Sequence, residues 1–226
     1  MYNHISGRNL LHATLVIALL VLGRATDVHA QTPMLPPIIS GPTNAVPSCV
    51  RPSRLMEFAD TRNRRLASPR KFDRRFSDIA SVYKSAGECV EIKPNGECLG
   101  VRWDYAFFQM LFETNYLLFT GGVRPEDNNF AGIGATVAGK PGEQFSSIEQ
   151  GVLAHLQHLL MYAGVTIQDP VAQRTRIVSE YVHEKLGQAR PVTFSDLAKL
   201  WAAPGGNSYA AAIERTAKAF SSQFCR

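Results

Sequence analysis

The chain has 226 residues, 45% of them apolar and 19% charged, with a formal net charge of +5. That apolar content suits one compact domain with short appendages and excludes disorder throughout. The basic balance, with a sequence pI near 9.1, comes from one segment. Residues 51–75 hold nine Lys/Arg against Glu57, Asp60 and Asp73, whereas the chain from Phe76 onward is mildly acidic.

Taken in order, the first thirty residues place Arg8 before an apolar run at 10–22 and Val28-His29-Ala30 before Gln31. The run is too short and wrongly flanked for a spanning helix. It predicts a signal peptide over 1–30, a periplasmic or secreted product, and no stable membrane span after cleavage; an uncleaved anchor is the alternative. Residues 31–52 carry six prolines (Pro33, Pro36, Pro37, Pro42, Pro47, Pro52), a density that opposes helix and sheet alike and predicts an extended spacer. Together with the basic stretch it forms an expected linker over 31–70. Outside the cytoplasm such an arm points to an anionic envelope surface and not to nucleic acid; the plainer reading is the solvated surface of a helix.

The globular domain is expected over 71–226. Phe72, Phe76, Ile79, Ala80, Val82 and Tyr83 share one helical face, predicting a helix over 72–86 that stops at Gly87. Cys89 and Cys98 then flank Pro94-Asn95-Gly96, a turn signal within a hairpin-like loop. Four cysteines allow three pairings, and export favours disulfides over thiols. The turn favours Cys89–Cys98, which leaves Cys49 and Cys225 to tie the ends together; with no paired C-x-x-C spacing, a zinc site is the weaker reading.

A second helix is expected over 103–115, followed by a glycine-punctuated stretch at 121–142 without helical periodicity. Ser146-Ser147-Ile148-Glu149-Gln150 offers two overlapping capping boxes ahead of a helix at 148–162. Further helices are expected at 171–186, at 195–201 with Thr193 or Ser195 as cap, and at 208–224. The predicted class is mostly α with a small β element inserted.

Glu113 is the first candidate for chemistry. It falls at helical spacing behind Ala106 and Met110, among Phe107, Phe112, Tyr116 and Leu117. Apolar walls keep a carboxyl protonated near neutral pH, which is what a general acid for glycoside cleavage requires. A glutamate at the solvent edge of the helix is the plain alternative.

Three blocks and a closing motif sharpen that reading: Gln109-Met110-Leu111-Phe112-Glu113-Thr114-Asn115-Tyr116, Asn128-Asn129-Phe130-Ala131-Gly132-Ile133-Gly134, Gly151-Val152-Leu153-Ala154-His155-Leu156-Gln157-His158-Leu159, and Trp201-Ala202-Ala203-Pro204 with Tyr209-Ala210. In this order they resemble the bacterial glucosaminidase family, glycoside hydrolase family 73, the peptidoglycan endo-β-N-acetylglucosaminidases with a mannosyl-glycoprotein endo-β-N-acetylglucosaminidase-like domain. The resemblance implies a lysozyme-like α fold with a small β-hairpin or glycine-rich lobe. It implies peptidoglycan glycan strands as substrate, no cofactor, and Glu113 as general acid. Asn129, Phe130 and Gly132 match the segment lining the floor of the sugar cleft. Trp201 and Tyr209 match aromatic positions beside the scissile sugar, and Tyr116 stands where many relatives carry tryptophan. Glu143 is the candidate second carboxylate, with Glu126 and Asp127 nearer in sequence.

The resemblance implies a hydrolase that cuts the β-1,4 bond after N-acetylglucosamine. A lytic transglycosylase needs only the same acid, and a catalytically silent peptidoglycan-binding assembly factor is the non-enzyme alternative. His155 and His158 stand three apart on a helix without a third ligand at suitable spacing, so no metal is expected. There is no G-x-S-x-G elbow, and Lys140-Pro141 breaks any phosphate-loop pattern.

Overall fold

Seven α-helices and a two-stranded hairpin carry the described residues, which in this computed structural model are 34–65, 72–135, 142–186, 192–202 and 204–226. The predicted signal sequence over 1–30 lies outside them, as do Arg70, Lys71, Gly139, Lys140, Pro141 and Ala203. In chain order come α1 (Pro52–Arg64), α2 (Ile79–Gly87), β1 (Glu91–Ile92), β2 (Cys98–Leu99), α3 (Trp103–Glu113), α4 (Ile148–Tyr162), α5 (Gln173–Tyr181), α6 (Phe194–Trp201) and α7 (Gly206–Phe224). The protein is mostly α, with α5 running on into a π turn at Val182–Leu186.

Local chemistry sets the boundaries. Ser147 caps α4 by accepting from Gln150 N at 3.2 Å, while Thr193 and Asp196 form a reciprocal capping box on α6. Of the two caps considered for α6, Thr193 is the one used. β1 and β2 pair antiparallel, Glu91 opposite Leu99 and Ile92 opposite Cys98, and Gly96 takes φ +79° in the turn between them. The Cys89–Cys98 bridge closes this hairpin with Cα atoms 5.2 Å apart, and Cys49–Cys225 joins residues 176 apart in sequence at 5.3 Å.

Aromatic rings dominate the core. Phe76, Tyr83, Phe107, Phe130 and Phe220 are fully buried, and several meet edge to face, Phe58 on Phe220 at 5.7 Å and Phe76 on Phe130 at 5.6 Å. The core holds α2 against α3 and α4, and α7 against α3 and α6, so the C-terminal end of α3 meets the start of α7.

The structure corrects the expected linker. Residues 35–64 are part of the core: Leu35 is 2% exposed, and Ile38, Leu55, Phe58 and Ala59 are fully enclosed. The prolines do prevent regular structure, yet the segment is pinned in extended form. Ile39 bridges to Val101, Ile38 N donates to Val192 O at 2.9 Å, and Asn44 Nδ2 donates to Pro37 O and Ile39 O. The Asn44 carboxamide oxygen also accepts from Arg102, which forms a buried bidentate pair with Asp104 at 2.8 and 2.7 Å at the start of α3. The basic stretch is a helix surface over 52–64: Pro52 opens α1 at a position that has no N–H to lose. Arg54 reaches Phe224 O, and Arg64 pairs with Asp60. The globular unit therefore begins well before residue 71.

Candidate active site

Glu113 ends α3, and the chain then turns through a left-handed stretch. Asn115, Tyr116 and Leu117 have φ of 48°, 57° and 64°, and Phe119 follows at 50°. Each non-glycine residue in that region costs about 1–2 kcal/mol, a strain held by neighbouring contacts. Tyr116 N donates to Leu111 O at 2.7 Å, Leu117 N to Thr114 Oγ1 at 3.0 Å, and Asn63 Nδ2 of α1 to Tyr116 O at 3.1 Å. Leu117 and Phe119 are buried behind the turn. The outcome is a helix that stops at Glu113 and leaves its carboxyl at the edge of a cleft of about 380 Å³.

The cleft is lined by Glu113, by Gly121, Gly122 and Val123, by Ala131, Gly132 and Ala135, and by Trp201, Ala202 and Tyr209. Both the Trp201 indole N–H, at 3.0 Å, and the Tyr209 hydroxyl donate to Glu113 Oε1. Oε2 is left on the side of Gly132, where a side chain would come within 3.8 Å of it. Gly132 has φ +64°, so glycine suits this position for both its backbone and its open face. Burial pushes the Glu113 carboxyl above its usual range, the donors from Tyr209 and Trp201 opposing without reversing it. With Oε1 twice engaged as acceptor, the proton belongs on Oε2, facing the cleft.

A line of buried hydrogen bonds continues inward from Tyr209. Gln109 Nε2 donates to the Tyr209 hydroxyl oxygen at 3.0 Å, Gln109 Oε1 lies 3.4 Å from His155 Nε2, and His155 Nδ1 lies 2.8 Å from the Tyr83 hydroxyl. One assignment satisfies every group: Tyr83 donates to Nδ1, Nε2–H to Gln109, Gln109 to Tyr209, and Tyr209 to Glu113. Burial holds the His155 pKa down to about 3 and His158 likewise to about 3, so both rings are neutral, as this line requires. His158 accepts from or donates to Thr175 Oγ1 at 2.8 Å and packs edge-on to Trp201 at 5.5 Å. The two histidines thus orient the partners of the acid.

Not every expected site residue reaches the cleft. Glu143 is spent elsewhere: its carboxylate accepts from Gln173 N and Arg174 N at 2.8 and 2.6 Å, capping α5. Glu126 is exposed on the turn Pro125–Asp127, and Asp127 is buried against Arg124 and Gln144. Among the described residues Glu113 is the one carboxyl lining the cleft. Asn129 is fully buried and braces the loop from within, donating to Ile133 O and Glu143 O and accepting from Ile133 N. Phe130 lies in the core beside Phe76, so neither side chain is available to a ligand. Tyr209 is 7% exposed and serves the acid through its hydroxyl rather than as a stacking platform; Trp201 is partly exposed.

Sequence reasoning missed Gln109, Tyr83 and the role of His155. Gln109 lies four residues before Glu113 and therefore on the same helical face, a signal visible in the spacing. The partnership of Tyr83 with His155 depends on α2 meeting α4, which spacing along the chain does not encode.

No family model matches the chain, and no solved structure matches it. An "Uncharacterized protein" of Borreliella burgdorferi (strain ATCC 35210 / DSM 4680 / CIP 102532 / B31) is 50% identical over 65 residues, 29% of this chain and 32% of that protein. The matched stretch thus covers about a third of the relative's length.

Proposed function

We propose that the chain is a secreted or periplasmic glycoside hydrolase of lysozyme-like fold that cuts the β-1,4 bond after N-acetylglucosamine in peptidoglycan. The observation that carries the reading is the Glu113 carboxyl, raised by burial, held through Oε1 by Trp201 and Tyr209, with Oε2 open to the cleft. Glu113 gives its proton to the departing O4 of the next sugar as the bond to C1 breaks. With Glu143 engaged at α5, the substrate's own 2-acetamido oxygen is the nucleophile toward C1, one of the recognised departures from two-carboxylate hydrolysis. Water then opens the cyclic intermediate and returns a proton to Glu113, with retention at C1. The signal peptide expected from the sequence and the two disulfides support an oxidising compartment.

Incubation of the purified chain with sacculi tests the reading through the ends released. Reducing N-acetylglucosamine ends support hydrolysis. Anhydromuramic ends convert the assignment to a lytic transglycosylase, since a single acid also suffices for intramolecular attack. Sedimentation with sacculi without any release identifies a binding factor and refutes the enzyme.

A further inference from the structure

Phe112 separates the cleft from a second hollow of about 400 Å³. Its ring meets Tyr209 edge-on at 5.1 Å on the cleft side, and 44% of the residue remains exposed. Along α7, Tyr209, Ala212, Thr216 and Ala219 recur at intervals of three, four and three, the spacing of a single helical stripe. Tyr209 meets the cleft, and the other three line the hollow. At 1.5 Å per residue, the floor of the hollow at Thr216 lies about 10 Å along the axis from Tyr209, of the order of a disaccharide. The stripe is small-chained, and the Thr216 hydroxyl is satisfied by Ala212 O at 2.9 Å, so the floor admits a ligand without demanding a hydrogen bond.

The charged groups of this hollow are Arg62 from α1 and Arg215 from α7. Neighbouring cations on the same helices have carboxylate partners: Arg64 pairs with Asp60 at 3.0 Å and Lys218 with Glu214 at 3.0 Å. Arg62 instead lies over the Phe58 ring at 5.2 Å, and among the described residues no carboxylate lies within ion-pairing distance of Arg62 or Arg215. Two guanidiniums facing one concave surface beside Phe112 and Tyr116 suit a planar anion carried on a partly apolar group.

We propose that this hollow is a subsite for a carboxylate borne on the glycan strand, the lactyl-peptide substituent of peptidoglycan, held by Arg62 and Arg215 while the sugar backbone passes Phe112 to reach Glu113. The inference rests on the function proposed above and names the part of its substrate that a neutral glycan lacks. Phosphate of a lipid headgroup shares the anionic chemistry, so the test separates the two.

The full chain is titrated with N-acetylmuramyl-L-alanyl-D-glutamine, whose free α-carboxylate matches that of the γ-linked stem residue, with its neutral amide, with chitotetraose and with inorganic phosphate. The same titrations are run on the Arg62→Gln/Arg215→Gln and Arg62→Lys/Arg215→Lys double variants, with folding checked by circular dichroism. The carboxylate probe should bind about ten-fold more tightly than its amide, the scale of one charge-assisted contact. The glutamine pair should erase that preference, the lysine pair should keep part of it, and chitotetraose should bind all three proteins equally. An unchanged preference in the glutamine pair overturns the subsite, as does phosphate competing as well as the carboxylate. Release of ends from sacculi by the same wild-type sample reports on the function separately. Cleavage without arginine dependence sinks the subsite alone, whereas arginine-dependent binding without cleavage sinks the enzyme.

Discussion

Replacing Glu113 by Gln isolates the proton from everything else the side chain does. Gln keeps a carbonyl oxygen at the Oε1 position, so the Trp201 indole and the Tyr209 hydroxyl retain their acceptor, and an amide nitrogen takes the place of Oε2 beside Gly132. Hydrogen bonds to a neutral acceptor are about half as strong as those to a carboxylate, a loss of about 1 kcal/mol for each of the two bonds where the wild-type carboxyl is ionised and little where it is protonated. Removing a carboxyl whose ionisation burial opposes works in the other direction. A group with a raised folded pKa contributes stability that is fully present below its unfolded pKa and lost as pH rises through the folded value. The variant should therefore melt within a few degrees of wild type and should lose less stability than wild type toward alkaline pH. Activity should fall at least 10²- to 10⁴-fold, the usual worth of general acid catalysis. The assays are dye release from labelled sacculi and thermal melts at several pH values. Wild-type activity in a folded Glu113→Gln protein would refute the assignment, and a collapsed melting curve would refute the account of Oε1.

Four further outcomes follow from the same geometry. Tyr209→Phe removes a donor that lowers the Glu113 pKa, so the alkaline limb of the activity profile should move to higher pH. An unmoved limb would dissociate Tyr209 from the acid. Buried neutral His155 and His158, both held down to about 3, contribute stability that is complete above the ordinary histidine pKa and is lost as pH falls toward 3. Melts should show up to about 1.4 kcal/mol per pH unit for each ring below pH ~6, and His158→Gln should flatten that slope. Starting the chain at residue 72 strips Leu35, Ile38, Leu55 and Phe58 from the core; at about 1.5–3 kcal/mol each this exceeds the stability of many domains, and circular dichroism should find the product unfolded. Replacing Cys49 and Cys225 together by Ser should cost about 2–5 kcal/mol, read as a lowered denaturation midpoint with the slope checked for a changed unfolded state.

Most helices downstream of the hairpin were legible because they are written locally, whereas α1 lies inside the expected linker and α2 begins at Ile79 and not at residue 72. Ile148, Val152, Leu156 and Leu159 with the serine cap define α4 to the residue, and the turn at Pro94-Asn95-Gly96 brings Cys89 to Cys98. Residues 31–52 were misread because proline density reports only what the backbone does not form. A chain can be irregular and still buried when its polar groups find partners, and here Asn44, Arg102 and Val192 supply them. The residues that decide burial, Leu35 and Ile38, are two apolar side chains among prolines and carry no period.

The same distinction separates Glu113 from Glu143. Glu113 was legible because apolar residues of its own helix and the block around it singled it out, although the groups that meet its carboxyl, Trp201, Tyr209 and Gly132, lie far along the chain. The environment of Glu143 is the N-terminus of α5, thirty residues on, and in sequence a carboxylate that caps a distant helix is indistinguishable from one poised over a substrate. That engagement bears on mechanism. Two backbone N–H groups on one carboxylate fix it in place, and moving it over the cleft would strip α5 of its cap. If Glu143 acted as the base, Glu143→Gln would lower the rate without loosening α5. If it is a cap, the variant should melt earlier by about 0.5–2 kcal/mol and expose the amides of Gln173 and Arg174 to hydrogen exchange, with activity per folded molecule close to wild type. Exchange unchanged at α5 together with a hundred-fold slower reaction would return Glu143 to the catalytic machinery and replace the acetamido nucleophile with an activated water.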